Sequence, residues 1–353
     1  MEPVKLGVIG CGVIGPTHMA PASDSPDIEL VAVADLIDER AQAAAEKFGA
    51  AKTYREGSDL IADPDIQAVV LALPAGGRTP LALEAFAHGK HVLTEKPVAR
   101  NVAEVEQMIA ARGDLVAACC SERYRFPEGA RVATDFIATG ALGELREVYH
   151  RSFFPAAPPP EEPRPEWRLK RHLNGGGFLM NWGCYDLDYL LGITGWKLKP
   201  QTVFGQTWTI APQLASHIPE GSDAETHYTA LVRCEGGTML SLERGEYMAT
   251  DTENAWHIIG TKGSLRLTMS VAKPKRIIFE EATTDAGCTS RTLWETEDEQ
   301  DTDLIHRGPT LDFAAAIREG REPSTTLERA LTIQKITDAI YASAASGQAV
   351  SIG

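Results

Sequence analysis

The run Val4-Lys5-Leu6-Gly7-Val8-Ile9-Gly10-Cys11-Gly12-Val13-Ile14-Gly15 decides how the chain begins: a short apolar segment breaks into a G-x-G-x-x-G turn. A short apolar run with β-branched residues reads as a buried strand, and a glycine turn directly behind it opens a helix whose N-terminus can receive phosphate. Among 31 glycines the pattern alone carries little weight, because a plain strand-to-helix turn looks the same. The next run, Glu29-Leu30-Val31-Ala32-Val33-Ala34-Asp35, repeats the buried-strand pattern and ends in an acid 20 positions beyond Gly15. In that arrangement Gly10 permits the tight turn, Gly12 lets the backbone approach a pyrophosphate, and Gly15 lets the helix pack on the sheet, with Val13 and Ile14 between them. A carboxylate at Asp35 accepts from the adenosine ribose hydroxyls and repels a 2′-phosphate, so the expected cofactor is NAD in preference to NADP.

Working outward, strands and helices alternate. Asp38 is placed to cap a helix over residues 39–48 that stops at Gly49, and residues 67–73 read as a strand ended by Pro74. Thr79-Pro80 reads as a helix start, with a strand at 91–94 following Gly89. Asn101 and Glu104 have capping spacing for a helix to about 112, and 115–120 is another strand. Pro21 should kink or shorten the first helix. The alternation predicts an α/β Rossmann domain over residues 1–122, a doubly wound parallel sheet with its ligand crevice at the carboxyl ends of the strands. Leu73, Pro74, Glu95 and Lys96 fall at those ends and join the glycine turn as expected cofactor-binding residues.

Beyond residue 122 the period changes. A helix over 128–139 leads to a half-wet strand at 145–154, and alternating runs follow at 203–210, 226–234, 238–244, 257–260, 264–267 and 276–280. Helical spacing returns at 310–319 and 326–346. Residues 123–353 are therefore expected to form an α+β domain with a large, mainly antiparallel sheet that binds substrate and pairs subunits. The prolines of residues 155–165 fit an extended arm, lid or rigid surface loop.

Composition narrows the function. With 353 residues, two domains of about 150 residues or more are the expectation. Hydrophobic residues at 43% and charged residues at 24% describe a folding chain. A net charge of -15 argues against nucleic acid, and the apolar runs are too short to span a bilayer. The N-terminus shows no basic leader, so a cytoplasmic location is expected. Six scattered cysteines without C-x-x-C spacing read as reduced core thiols, and no metal site is expected.

Five segments, taken in order, resemble the Gfo/Idh/MocA oxidoreductases: Gly10 to Gly15 with Asp35; Gly89-Lys90-His91-Val92-Leu93-Thr94-Glu95-Lys96-Pro97; Trp167 with Gly175-Gly176-Gly177; Gly260-Thr261-Lys262-Gly263; and the stretch 313–323 with the last helix. The resemblance implies that Lys96 lies where cofactor meets substrate and contacts the reacting hydroxyl, with Pro97 shaping its turn. The family's usual Asp and proton-accepting His stand here as Asn181 and Tyr185. Some members carry Tyr at that second position, which implies Tyr185 as the acid/base, with Asn181 orienting the substrate without supplying charge. Asp188 matches a second acidic position and also fits a dipole-stabilising role beside Asp186. His172 is a further proton-transfer candidate. Arg123, Tyr124, Trp167, Arg168 and Trp182 are candidates for hydrogen bonds or a stacking wall around a polyhydroxylated ligand. Arg78 stands where the family often has His and is assigned no catalytic role.

The reading is an NAD(P)-dependent oxidoreductase moving a hydride between nicotinamide and a secondary alcohol of a sugar, inositol or sugar derivative. A glycosidase-type enzyme using tightly bound NAD for transient oxidation and a non-catalytic NAD-binding sensor are the alternatives. The resemblance implies a homodimer or homotetramer.

Overall fold

A computed structural model describes residues 2–160, 165–269, 274–297 and 301–353, with only the backbone at 301 and 302. The chain divides into two compact units, Met1–Arg123 with Thr302–Thr332, and Tyr124–Asp301 with Ile333–Gly353. The sequence places one cut at 122/123 and assigns everything after it to one domain. The structure instead returns residues 302–332 to the first unit, because Phe313 and Ala314 join the apolar cluster of Val8, Met19 and Leu93, while Leu327 and Ala330 join that of Leu71 and Val105.

The first unit runs β1 (Val4–Ile9), α1 (Gly15–Asp24), β2 (Ile28–Ala34), α2 (Asp38–Phe48), β3 (Lys52–Tyr54), α3 (Gly57–Ala62), β4 (Ala68–Leu71), α4 (Ala75–Ala87), β5 (His91–Thr94), α5 (Val102–Arg112) and β6 (Ala117–Cys119). Its strands form a parallel sheet in the order β3-β2-β1-β4-β5-β6. The order reverses between β1 and β4, and a doubly wound sheet opens its ligand crevice at such a reversal. The strands are apolar on both faces, as a sheet covered by helices requires; Val8, Ala32, Val33, Val69, Val70 and Leu93 are wholly buried.

Pro21 lies inside α1, which ends soon after it at Asp24. Two local expectations shift. Asp38 is the first residue of α2 and does not cap it. Helix α4 begins at Ala75, well before Thr79-Pro80, so Pro80 sits inside it. Gly76 and Gly77 are poor helix formers and push a propensity reading past them, but the buried Ala75 and Arg78 hold the first turn in place. The Asn101 cap is as expected, its Oδ1 accepting from Glu104 N at 3.0 Å.

The second unit contains α6 (Glu128–Ala138), β7 (Leu145–Pro155), α7 (Arg171–Asn174), α8 (Cys184–Ile193), β8 (Pro200–Trp208), β9 (His227–Cys234), β10 (Met239–Met248), β11 (Glu253–Gly260), β12 (Gly263–Leu267), β13 (Lys275–Thr283) and β14 (Gly287–Thr296). Helix α9 (Asp301–Glu319) then enters the first unit, α10 (Leu327–Ser346) contributes to both, and β15 (Val350–Ser351) closes the chain. Nine strands order as β14-β13-β12-β11-β7-β10-β9-β8-β15 among the described residues. The sheet is antiparallel except at β10 and β7, which run parallel. Its inner face carries Val148, Val203, Tyr228, Leu240, Trp256 and Leu265 against α8. Residues 161–164 of the proline-rich stretch, Pro163 included, lie outside the described residues.

Candidate active site

In the first unit the glycine turn is shaped by its own backbone. Gly10 has φ +102 and donates to Ala34 O at 2.8 Å. A Cβ on Gly15 would stand 2.0 Å from Gly10 O, so the start of α1 can approach β1 only as glycine. Gly12 differs, because a Cβ there would meet nothing within 4 Å. The packing of the chain does not require glycine at that position. An approaching pyrophosphate would, and the open flank fits one. Asp35 at the end of β2 accepts from Cys11 N at 2.8 Å and Ile37 N at 2.9 Å, tying strand end to turn. A carboxylate has about four lone-pair positions, so capacity remains for ribose hydroxyls. Burial, then the Asp35 charge, pushes the Cys11 thiol up to about 12, which keeps it protonated and chemically quiet. Leu73, half-buried, and Pro74, exposed, follow β4, and a Gly10 Cβ would lie 3.1 Å from Leu73 Cδ2.

Glu95, Lys96 and Pro97 follow β5, with a cis bond between Lys96 and Pro97. Glu95 is 3% exposed and is bonded on several sides: His18 Nε2 at 3.0 Å, the Arg123 guanidinium, and the Lys96 backbone N–H at 2.9 Å. Burial alone would raise its pKa, but the Arg123 charge and the His18 hydrogen bond outweigh it and hold the carboxyl well below the usual range. Glu95 thus holds the Lys96 main chain. Lys96 is half-buried. Arg123, expected at the substrate, is 3% exposed and committed to Glu95 and Cys120 O, which makes it a partner of the loop. His18, Glu95 and Cys120 bring possible ligand atoms within 4.8 Å of one another. The carboxylate of this group is already paired with a cation, the Arg123 guanidinium.

In the second unit, the glycine triplet leads through a π-helical turn (Leu179–Gly183) into α8. Such turns insert a residue into a helix and frequently accompany functional sites. Asn181 lies in the turn, 7% exposed, and Tyr185 lies in the first turn of α8, 5% exposed. The Tyr185 ring sits edge-on to Tyr124 at 5.1 Å and to Trp182 at 5.6 Å. Asn181 and Arg168 line a small depression with Leu169, Gly177, Phe178 and Pro219. Trp167 is half-buried, its ring 5.6 Å from the Arg168 guanidinium, while His172 is exposed on α7. Asp186 and Asp188 are fully buried ion-pair partners, the first of Arg244 at 2.7 Å, the second of Arg125 at 2.6 Å. The dipole role expected for Asp188 therefore gives way to a specific pairing.

Sequence reasoning missed Glu225. Its Oε1 accepts from Gly177 N at 2.9 Å, Leu179 N at 3.0 Å and Tyr341 Oη at 2.7 Å, fixing the triplet from beneath. Burial raises its pKa despite these donors. Cysteines 11, 119, 120, 184 and 234 are buried free thiols, and Cys288 is exposed.

Residues 4–115 match the family described as "Oxidoreductase family, NAD-binding Rossmann fold", and residues 130–266 match the "GFO/IDH/MocA C-terminal domain". The chain belongs to the GFO/IDH/MocA oxidoreductases. It is 30% identical to the dTDP-3,4-didehydro-2,6-dideoxy-alpha-D-glucose 3-reductase of Saccharopolyspora spinosa, over 77% of each chain. It is 25% identical to the myo-inositol 2-dehydrogenase of Thermotoga maritima, over 74% of each. A solved levoglucosan dehydrogenase, in complex with NADH and levoglucosan, shares the fold at TM-score 0.85 and 23% identity, covering 99% of this chain and 100% of that one. As a family member the chain is an NAD-binding oxidoreductase. No helix among the described residues is long and apolar enough to cross a membrane.

Proposed function

We propose that the protein is an NAD-dependent dehydrogenase or reductase acting on a secondary alcohol of a sugar, inositol or sugar derivative. The observation that carries this reading is the joint presence, in one unit, of the glycine turn, Asp35 and a Lys96 loop whose main chain is held by a buried carboxylate. The names of the relatives, a sugar-nucleotide reductase and an inositol dehydrogenase, point to the same substrate class.

The turn from Gly10 to Gly15 receives the pyrophosphate, Asp35 the adenosine ribose, and Leu73, Pro74, Glu95 and Lys96 border the nicotinamide half. Bound NAD supplies the hydride acceptor or donor at C4 of its ring. Lys96 would donate from its ammonium to the hydroxyl being oxidised, and Tyr185, in its phenolate form, would take the hydroxyl proton and become the phenol, with bound NAD supplying the hydride acceptor. Asn181 orients the hydroxyl. Trp167 and Arg168 contact the remaining hydroxyls, a mixture of ring face and donors that suits a polyol. His172, exposed on its short helix, is the weaker proton acceptor.

Exposed Phe204, Trp208 and Leu231 lie on β8 and β9, with Phe204 paired to Leu231. A second copy covering this sheet face would give the homodimer or homotetramer, and light scattering reads the mass.

Lys96→Ala and Tyr185→Phe test the mechanism. Each should lower kcat by about 10²- to 10⁴-fold on a polyol panel, the range for losing a positioned proton-transfer group, and Tyr185→Phe should leave NAD affinity nearly unchanged by calorimetry. Full turnover in either variant removes that residue from the reaction.

A further inference from the structure

Arg78 was given no role by its sequence position, yet it is among the largest fully buried side chains, 2% exposed. It projects from the first turn of α4. Its Nε donates to Leu73 O at 2.6 Å, its Nη2 to Lys96 O at 3.0 Å, and its Nη1 to both Glu95 O and Pro97 O. One guanidinium therefore gathers the carbonyls of three consecutive residues centred on Lys96, together with that of Leu73 just beyond β4.

Buried carbonyls that lose their partners are costly, so a loop that turns three of them inward needs a dense donor. Arginine offers five N–H groups in a rigid plane, whereas lysine offers three on one rotating atom. Lys96 is consequently held at both ends of its main chain: Glu95 Oε2 takes its N–H at 2.9 Å and Arg78 takes its C=O at 3.0 Å. Side-chain direction follows from main-chain placement. A displacement of about 1 Å in a reacting group can cost about 10²-fold in rate, so a clasp around the Lys96 main chain has kinetic weight.

We propose that Arg78 is a positioning residue, which sets the Lys96 main chain and through it the ammonium at the reacting hydroxyl. This rests on the reading of Lys96 given above. The role predicts a specific pattern of coupling. Arg78→Met keeps the length of the side chain and removes every donor; Arg78→Lys keeps the charge and part of the donation.

The test is a double-mutant cycle with Lys96→Ala, read as kcat, KM for NAD, melting temperature and hydrogen exchange at the amides of 95–99. Arg78→Met should lower kcat by about 10²-fold with KM for NAD within about threefold, and Arg78→Lys should recover about tenfold of that loss. In the Lys96→Ala background the Arg78→Met change should shrink to less than about threefold, because the group it positions is gone. An equal loss of kcat in both backgrounds, or unchanged kcat in Arg78→Met, overturns the proposal. Should Arg78→Met fail to fold, Arg78→Lys decides: faster exchange at 95–99 with reduced kcat supports the clasp, and unchanged kcat overturns it. Full turnover in Lys96→Ala alone would sink the Lys96 reading and is scored separately from either Arg78 result.

Discussion

At Gly15 a Cβ would come within 2.0 Å of the carbonyl oxygen of Gly10, a neighbour in the same turn; at Gly177 it would come within 2.0 Å of the carbonyl oxygen of Glu225, far along the chain. Both positions demand glycine for steric reasons: Gly15 opens α1, and Gly177 stands before the π-helical turn and α8, which carry Asn181 and Tyr185. The first turn is closed by local backbone, so its spacing announces it. The second is closed by a remote strand entry, by the Glu225 carboxylate and by the Tyr341 hydroxyl. A local constraint yields a motif; a remote one yields a glycine triplet whose purpose only the fold reveals.

The most severe way to probe that difference is to add the two methyl groups. Gly15→Ala and Gly177→Ala each press a Cβ into backbone oxygen, and overpacking of this kind costs about 1–3 kcal/mol or more. Gly15→Ala should lose NAD binding, whereas Gly177→Ala should keep NAD binding and lose turnover, since it disturbs Asn181 and Tyr185. Calorimetry with NAD on both variants checks this; loss of NAD binding in Gly177→Ala would erase the distinction between the turns.

Acid should then distinguish the two regions. His150 on β7 is fully buried at 3.7 Å from Asp186, with neither ring nitrogen hydrogen-bonded among the described residues, and its ring lies 4.0 Å from that of Trp256. Burial lowers its pKa from 6.5 to about 4, against the pull of Asp186. The unfolded chain therefore binds the proton more readily. Stability attributable to neutral His150 is complete above pH 6.5 and is lost as pH falls toward about 4. The loss amounts to about 3 kcal/mol. His150→Phe should flatten the fall in melting temperature between those pH values; a parallel fall in both proteins would clear His150 of this role.

How much the sequence discloses follows the same division. Gly10 to Gly15, Asp35 and the Asn101–Glu104 cap are legible because partner and residue lie within one turn or one strand–helix unit. Arg123 is a substrate-contact candidate in the sequence, where nothing local announces its pairing with Glu95. Glu225, His18 and Arg78 escape for the same reason, each acting on a segment remote in sequence. Strand β14 escapes because most of residues 287–295 are exposed and show no alternation. The first half of α9 escapes because Gly308-Pro309 interrupts its helical period, yet the helix runs through Pro309.

A milder substitution sharpens the comparison within the first unit. Asp35→Asn ends the repulsion of a 2′-phosphate but keeps an acceptor for only one of the Cys11 and Ile37 amides, which bond to different oxygens of the carboxylate. NADP should gain on NAD by about tenfold, worth about 1.4 kcal/mol, with a fall of a few degrees in melting temperature for the lost hydrogen bond. Unaltered cofactor preference in paired kinetic assays would show that Asp35 serves only the turn.

The smallest expected effect lies at the other turn. Tyr341→Phe removes one of three donors from Glu225 Oε1 while Gly177 N and Leu179 N remain at 2.9 and 3.0 Å. A single hydrogen bond is worth about 1 kcal/mol net, so the melting temperature should fall by a few degrees. Tyr341 lies on α10 and its donation lowers the Glu225 pKa against burial, so the variant should also hold the Glu225 proton to higher pH. A carboxyl that has gained a proton becomes a poorer acceptor for the triplet amides, which loosens the turn before Asn181. Turnover should therefore fall more in the variant than in the parent as pH is lowered toward 5, with NAD affinity constant. Equal pH profiles would mean that the two amides alone hold the carboxylate, and that the remote constraint on Gly177 is steric only.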